Sequence, residues 1–443
     1  MKIQLSDHFT CSKLLRFTLP SIVMMVFTSI YGVVDGFFVS NYVGKTPFTA
    51  VNFIYPVIMI LGCGGFMFGT GGGALIAKTL GEGKPERANH IFSLIVYTAA
   101  VCGVVLGAVG VVLVRPIAAA LGAQGELLEN SVVYARVILA ALPAFILQFE
   151  FQCLFATAGK PTLGLIVTVA AGCTNMALDA LFVAALGWGL VGAAAATALS
   201  QAVGGIVPLV YFARPNSSLL RLGRTSFDGK ALARTCANGS SELMSNISGS
   251  LVSMLFNAQL LRYAGEDGVA AYGVLMYVSM VFLAVSIGYA VGSAPAIGYH
   301  YGAQDHRELR GLRRRSTAIV AVASVAMFAA GQLLARPLSL LFVGYDSDLL
   351  ELTVQAFFIF SFAFLFSGFA IFGSSFFTAL NDGLTSALIS FLRTLVFQCA
   401  AVIIFPILWG LDGIWWSIVA AEVMAVAVTL AFLTAKRKKY GYA

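Results

Sequence analysis

Carboxylates set inside long apolar stretches are the residues of this 443-residue chain most suited to chemistry. A charge at the centre of a bilayer costs roughly 2.5–3.5 kcal/mol on insertion scales, so one kept there is a functional candidate. Five acids interrupt apolar runs: Asp35, Glu150, Asp179, Glu242 and Glu422. Asp35 stands in Val33-Val34-Asp35-Gly36-Phe37-Phe38-Val39-Ser40, with no basic residue in its own run. Asn175 and Asp179 are four residues apart and share one face of a helix. An amide oxygen beside a carboxylate can ligate a hard cation such as Na⁺ or help hold a proton. Glu242, well inside its own run, can attract a positively charged substrate, and Glu150 is a weaker candidate for the same role. Other chemistries find little support. Gly69-Thr70-Gly71-Gly72-Gly73 lacks the Gly-Lys-Ser/Thr ending of a phosphate loop and follows no strand. The seven cysteines lie mostly in apolar segments without pairing or metal spacing. No nucleophile–base arrangement stands out, so an enzyme and a bound cofactor are not expected.

An internal repeat supplies a control on these candidates. Arg115-Pro116 recurs as Arg336-Pro337, a shift of 221, and the same shift carries Gly44 to Gly265, Gly71 to Gly292, Gly81 to Gly302 and Thr157-Ala158 to Thr378-Ala379. It also carries Trp188-Gly189-Leu190 to Trp409-Gly410-Leu411. Under this shift Asp35 becomes Phe256, Asn175 becomes Val396, Asp179 becomes Ala400 and Thr197 becomes Ile418. Scaffold residues recur while this polar set does not, which marks the set as functional rather than architectural.

The elements that must position these groups follow from composition. Hydrophobic residues make up 59% of the chain and charged residues 11%, and mean hydropathy is +0.90. Lipid is the solvent such a surface requires. A spanning helix takes roughly 20 apolar residues. The runs predict twelve spans at 14–38, 50–76, 91–114, 131–157, 163–186, 188–212, 232–262, 269–298, 316–335, 349–379, 384–408 and 412–435. The repeat predicts two six-helix bundles, 1–212 and 232–443, joined by a cytoplasmic linker at 213–231. An even number of spans in each copy gives both the same orientation, with a cavity between them. Of the 27 lysines and arginines, only Lys45, Arg115, Arg136, Arg262 and Arg336 fall outside if both termini are cytoplasmic. This positive-inside bias fixes the orientation, counting Arg393 among the inner residues. It also accounts for the net charge of +7 without nucleic acid. In this orientation Asp35, Asp179 and Asn175 lie toward the outer ends of helices 1 and 5. Tyr134 and Thr197 lie in the outer parts of helices 4 and 6, so all five share one depth.

The paired halves resemble the multidrug and toxic compound extrusion (MATE) transporters. So do the motif Val34-Asp35-Gly36-Phe37-Phe38-Val39-Ser40 leading to Gly44 and Thr49-Ala50-Val51, and Gly81-Glu82-Gly83 after helix 2. The resemblance covers essentially the whole chain and is nearest to the bacterial branch related to DNA-damage-inducible transporters. It implies an all-helical inner-membrane antiporter that expels organic cations against inward H⁺ or Na⁺ flow. Family members carry a cation site built from an Asp on helix 1, a Tyr on helix 4, an Asn and Asp on helix 5 and a Thr on helix 6. Asp35, Tyr134, Asn175, Asp179 and Thr197 match those positions. Some members have instead an acidic pair on helices 7 and 10. Glu242 is on helix 7, but helix 10, around Phe366-Ser367-Gly368, has no acid at the matching place.

The expected function is therefore cation-coupled export of small amphipathic organic cations or drugs by a monomer surrounded by lipid. Two carboxylates crowded in a low-dielectric bundle repel, so Asp35 and Asp179 are expected to bind the coupling ion. H⁺ is favoured, and Na⁺ on Asp35, Asp179, Asn175 and Thr197 remains open. Pro20 on helix 1 is the expected hinge, and Glu242 and Glu150 the expected substrate contacts. One rival is a lipid-precursor flippase of the same superfamily, which the scarcity of basic residues in the spans disfavours. Another is a membrane receptor or intramembrane enzyme, which the long repeat disfavours.

Overall fold

Backbone amides in lipid must be satisfied within their own segment, so apolar runs of this length fold as helices. The structure, a computed structural model, describes residues 3–344 and 346–442; Lys2 and the side chains of Ser40 and Lys45 lie outside the described residues. Among these, nine helices are long and apolar enough to cross a membrane, and a bent pair makes a tenth. Two of the nine, of 74 and 53 residues, are each two spans joined end to end. The joints are glycines with left-handed backbone, Gly265 (φ 64°) and Gly410 (φ 59°). Splitting the chain there gives twelve spans.

We number them α1 (Cys11–Val43), α2 (Thr46–Gly81), α3 (Pro85–Ala120), α4 (Gly125–Ala140 and Leu142–Thr157, bent by 60°), α5 (Pro161–Ala185) and α6 (Gly189–Ala213). The second half follows as α7 (229–264), α8 (266–302), α9 (His306–Val343), α10 (Ser347–Ala379), α11 (383–409) and α12 (411–435). Starts are set by local chemistry. Pro85 and Pro161 open α3 and α5, where a missing N–H costs nothing. Side chains of Asp228, Asp305 and Asp382 cap the first backbone amides of α7, α9 and α11.

Both termini lie at one face of the bundle. The Phe9 amide donates to Glu308 Oε1 (2.9 Å) at the start of α9, and the Arg313 guanidinium lies over the Tyr442 ring. At this terminal face the two halves meet backbone to backbone. A Cβ added at Gly81 would lie 1.9 Å from the Tyr299 carbonyl oxygen, and one at Gly302 would lie 2.0 Å from that of Lys78. These contacts exchange under the 221-residue shift, so α2 and α8 form a seam with pseudo-twofold symmetry. Asn381 ties the same seam: its amide donates to the Ala74 carbonyl (3.2 Å) and its oxygen accepts from Asn238 Nδ2 (2.7 Å).

Packing crosses the sequence boundary. One core spans residues 39–231 and a second spans 252–419. A third joins Leu5, Phe9, Leu14 and Phe17 to Tyr289, Ile297, Phe376 and Tyr442. The start of α1 therefore packs with the C-terminal half. Reciprocally, Ala231, Leu232 and Cys236 at the start of α7 pack into the N-terminal core. Each bundle, or lobe, is held to its neighbour by the other's first helix.

Candidate functional site

Among the described residues, three short π-helical turns occur in the spans: Val39–Val43, Ala180–Ala185 and Leu392–Phe397. Wide turns of this kind are rare and recur at functional positions. The first begins four residues after Asp35 and the second directly after Asp179. The third contains Arg393.

In the N-terminal lobe, α1, α4, α5 and α6 bring the five expected ion-site residues together. Thr197 Oγ1 donates to Asp35 Oδ1 and accepts from Asn175 Nδ2, each at 3.4 Å. The Asp179 carboxylate faces that of Asp35, and the Tyr134 hydroxyl reaches Thr197. Asn175, Asp179 and Tyr134 are buried and Asp35 is half-buried. Among the described residues, Asn175 Oδ1 and both Asp179 oxygens lack a hydrogen-bond donor. Two facing carboxylates and an unpaired amide oxygen form an all-oxygen set that a proton or a hard monovalent cation would satisfy. The residues present thus fit H⁺ or Na⁺. Gly172 permits this assembly: a Cβ there would meet the rings of Phe27 (2.5 Å) and Tyr31 (2.9 Å), which press α1 onto α5. Gln148 Nε2 donates to Tyr31 Oη at 3.4 Å and extends the polar network.

A cavity lies between the lobes. Gly69, Thr70 and Gly73 of α2 and Cys153 and Thr157 of α4 line one side. The other side carries Glu242 and Ser245 of α7, Ile287 and Val291 of α8, Ser374 and Thr378 of α10, and Ser390 and Arg393 of α11. Glu242 therefore faces the space where its sequence position suggested. Glu150 stands apart: it is fully buried in α4, and neither carboxyl oxygen has a partner among the described residues. Pro20 lies inside an unbroken α1 helix.

Arg393 corrects one expectation. Although it falls inside the expected span 384–408, positive-inside counting places it with the inner basic residues; it lies well within α11, ten positions beyond Gly383, the first residue of that helix, with its side chain 14% exposed. Its Nε and one terminal nitrogen grip Glu422 of α12 at 2.9–3.0 Å. Glu422, left without a role by the sequence, is thus the partner of a membrane-embedded guanidinium. The repeat holds the signal for this pair, because the shift maps Arg393 to Gly172 and Glu422 to Gln201.

A twelve-span, two-lobed helical bundle with an embedded oxygen cluster and a cavity between lobes is the architecture of a secondary transporter. The MatE family model matches residues 20–181 and 243–403, once in each half. The chain belongs to the MatE family, and it is a multi-pass membrane transporter rather than an enzyme. It is 23% identical over 432 residues to the multidrug export protein MepA of Staphylococcus haemolyticus, covering 96% of this chain and 94% of that one. With the MepA of Staphylococcus aureus strain MSSA476 it shares 24% identity over 418 residues, covering 92% and 90%. Among solved structures, it resembles the outward-facing conformation of a multidrug resistance MATE family transporter. The TM-score is 0.94 at 23% identity, covering 100% and 99% of the chains. A MOP superfamily transporter from Pyrococcus furiosus, described by the reverse polarity of its binding pocket, gives a TM-score of 0.90 at 22% identity, covering 98% and 97%.

Proposed function

We propose that the protein is a cation-coupled antiporter that exports small amphipathic organic cations or drugs across the bacterial inner membrane. The observation that carries this reading is the N-lobe cluster, in which Asp35 and Asp179 face each other with Asn175 and Thr197 alongside. Such a pair is strongly unfavourable with both acids charged and nothing positive between them. A cation entering from outside relieves the repulsion, and one charge moving inward gains roughly 2.3 kcal/mol per 100 mV of membrane potential. We assign H⁺ as the coupling ion, with Na⁺ as the alternative on the same oxygens.

Helix α1 supplies a physical link between site and lobes. Asp35 sits toward one end of α1, and Leu14 and Phe17 at the other end pack with the opposite lobe. Ion binding at Asp35 would bend α1 near Pro20 and bias the rocking of the two bundles. Glu242 would attract the substrate's charge into the cavity, and the aliphatic and hydroxyl lining, which contains no aromatic or methionine side chain among the described residues, would accept varied shapes. The names of the relatives support drug export. Positive-inside bias supports cytoplasmic termini, so the α2–α8 seam would close the cytoplasmic side. The protein would work as a monomer in lipid, without nucleic acid. Arg393 weakens the sequence argument against a flippase, but one guanidinium already gripped by Glu422 is a poor phosphate site.

Ethidium efflux from proteoliposomes under imposed gradients tests the proposal. A pH gradient alone, in sodium-free buffer, should drive efflux. Efflux only under an inward Na⁺ gradient would change the ion and keep the site, whereas efflux under neither would remove the antiport reading.

A further inference from the structure

The inter-lobe cavity contains two charged residues among those that line it, and they have opposite sign: Glu242 and Arg393. They are within electrostatic reach of each other but form no direct ion pair, since the guanidinium is held by Glu422 instead. That grip is bidentate and buried, with 14% and 5% of the two side chains exposed. It uses Nε and one terminal nitrogen; among the described residues the other, Nη1, makes no hydrogen bond. The pair therefore acts as a fixed post that presents a positive edge to the cavity. A π-helical turn, Leu392–Phe397, widens α11 where Arg393 departs from it. The equivalent positions in the other lobe are the uncharged Gly172 and Gln201.

We propose that Arg393 is a specificity-determining residue of the cavity: it admits substrates with one cationic centre for Glu242 and rejects those with a second. This rests on the cation-export reading and sharpens its substrate class. The post leaves Glu242 as the lining's one carboxylate free of a salt bridge, so the cavity balances a single positive charge. A second cationic group on the same small body meets the free edge of the guanidinium; Glu422 behind it offsets part of the repulsion, but the positive end of the pair is the one nearer the cavity, so the contact is unfavourable. An acceptor in that place, such as a carboxylate or carbonyl, meets Nη1 and is tolerated. Glu422 is a positioning residue in this scheme, because it acts only through Arg393.

The test uses three probes built on one aromatic body: a quaternary ammonium monocation, the same molecule with a carboxylate added, and the same molecule with a second quaternary ammonium. Binding to the purified full-length transporter is measured by calorimetry. The wild type should bind the dication about tenfold or more weakly than the monocation. Arg393→Gln alone strands a buried carboxylate, so the informative variant is Arg393→Gln/Glu422→Gln, which removes both charges together. It should close the gap between dication and monocation and weaken the zwitterion, with thermal unfolding near that of the wild type. The inference is overturned if the wild type binds the dication as tightly as the monocation, a result that needs no variant to fold. It is equally overturned if the folded double variant keeps the gap. Failure of the wild type to bind any of the three probes would instead remove the cation-export reading, and this inference with it.

Discussion

Alanine at the glycine seam should shift the conformational equilibrium in a predictable direction. A Cβ at Gly81 would stand 1.9 Å from the Tyr299 carbonyl oxygen, and a Cβ at Gly302 2.0 Å from that of Lys78. Carbon and oxygen settle at about 3.3 Å or more, so α2 and α8 must part by about 1.4 Å at either position. The obstacle is backbone rather than a flexible side-chain tip, and it cannot swing aside. Overpacking of this kind costs about 1–3 kcal/mol per site. The cost falls only on the conformation in which the seam is closed, so the equilibrium should move about 5- to 150-fold toward a state with the terminal face open. Spin labels at the exposed positions Glu86 and Arg307, on a cysteine-free background, report the opening by electron–electron distance measurement. Gly81→Ala and Gly302→Ala should each populate longer distances. Gly249→Ala, where an added Cβ meets nothing within 4 Å, should not. Identical distance distributions in all three variants would refute the seam as the determinant of closure.

Four further outcomes are expected. Asp35→Asn and Asp179→Asn should each abolish gradient-driven efflux while expression stays near wild type; full transport by either would remove that residue from the coupling site. Glu242→Gln should weaken monocationic substrates more than zwitterionic ones, and equal loss for both in binding assays would indicate a structural role. An introduced cysteine at Asn216 or Gln304 should resist labelling from outside intact cells, and strong labelling there would sink the topology. At the terminal face, burial opposes the charge on Asp382, yet Lys436, Tyr440 and Thr385 together hold its carboxyl below the usual range. A depressed acid contributes stability above its unfolded value and loses it as pH falls through the folded one, so the tail from Lys436 to Tyr442 should stay docked from neutral down to mildly acidic pH. Hydrogen exchange checks this, with Asp382→Asn expected to release the tail at pH 7 and unchanged protection counting against the contact.

Much of the architecture was legible because lipid imposes so few solutions. The expected spans 163–186 and 188–212 fall on α5 and α6 nearly end to end. Where boundaries differ, the cause is consistent. The run at 91–114 belongs to a helix reaching Pro85–Ala120, and that at 316–335 to one reaching His306–Val343. Hydropathy detects the most apolar part of a helix, and these helices extend beyond it through polar residues such as Glu86, Arg87, Arg310 and Arg314. The exchange of first helices between lobes had no signal in the repeat, because a shift aligns positions within the copies and carries no information on which copy each packs against. The N-lobe cluster was legible because acids in apolar runs are conspicuous. Tyr31 and Gln148, which extend it, were not, since neutral polar residues are ordinary in membrane helices.

Arg393 shows how a physical rule can conceal an embedded charge. Positive-inside counting assigns every basic residue to a side, and a guanidinium within a span is easily absorbed into the nearer connector. The repeat gave the opposite message: Asp35, Asp179, Arg393 and Glu422 all stand where the other copy has Phe256, Ala400, Gly172 and Gln201. Each lobe therefore departs from the common scaffold with charged residues, but in different ways. The N-terminal lobe holds two acids that face each other, suited to a mobile cation. The C-terminal lobe holds an acid already matched to a resident one. In the proposed mechanism the first arrangement changes its charge as an ion comes and goes, whereas the second keeps its charge fixed. An alternating transporter needs both properties, a site that switches and a surface that discriminates, and duplication of a six-helix unit lets each arise without compromising the other.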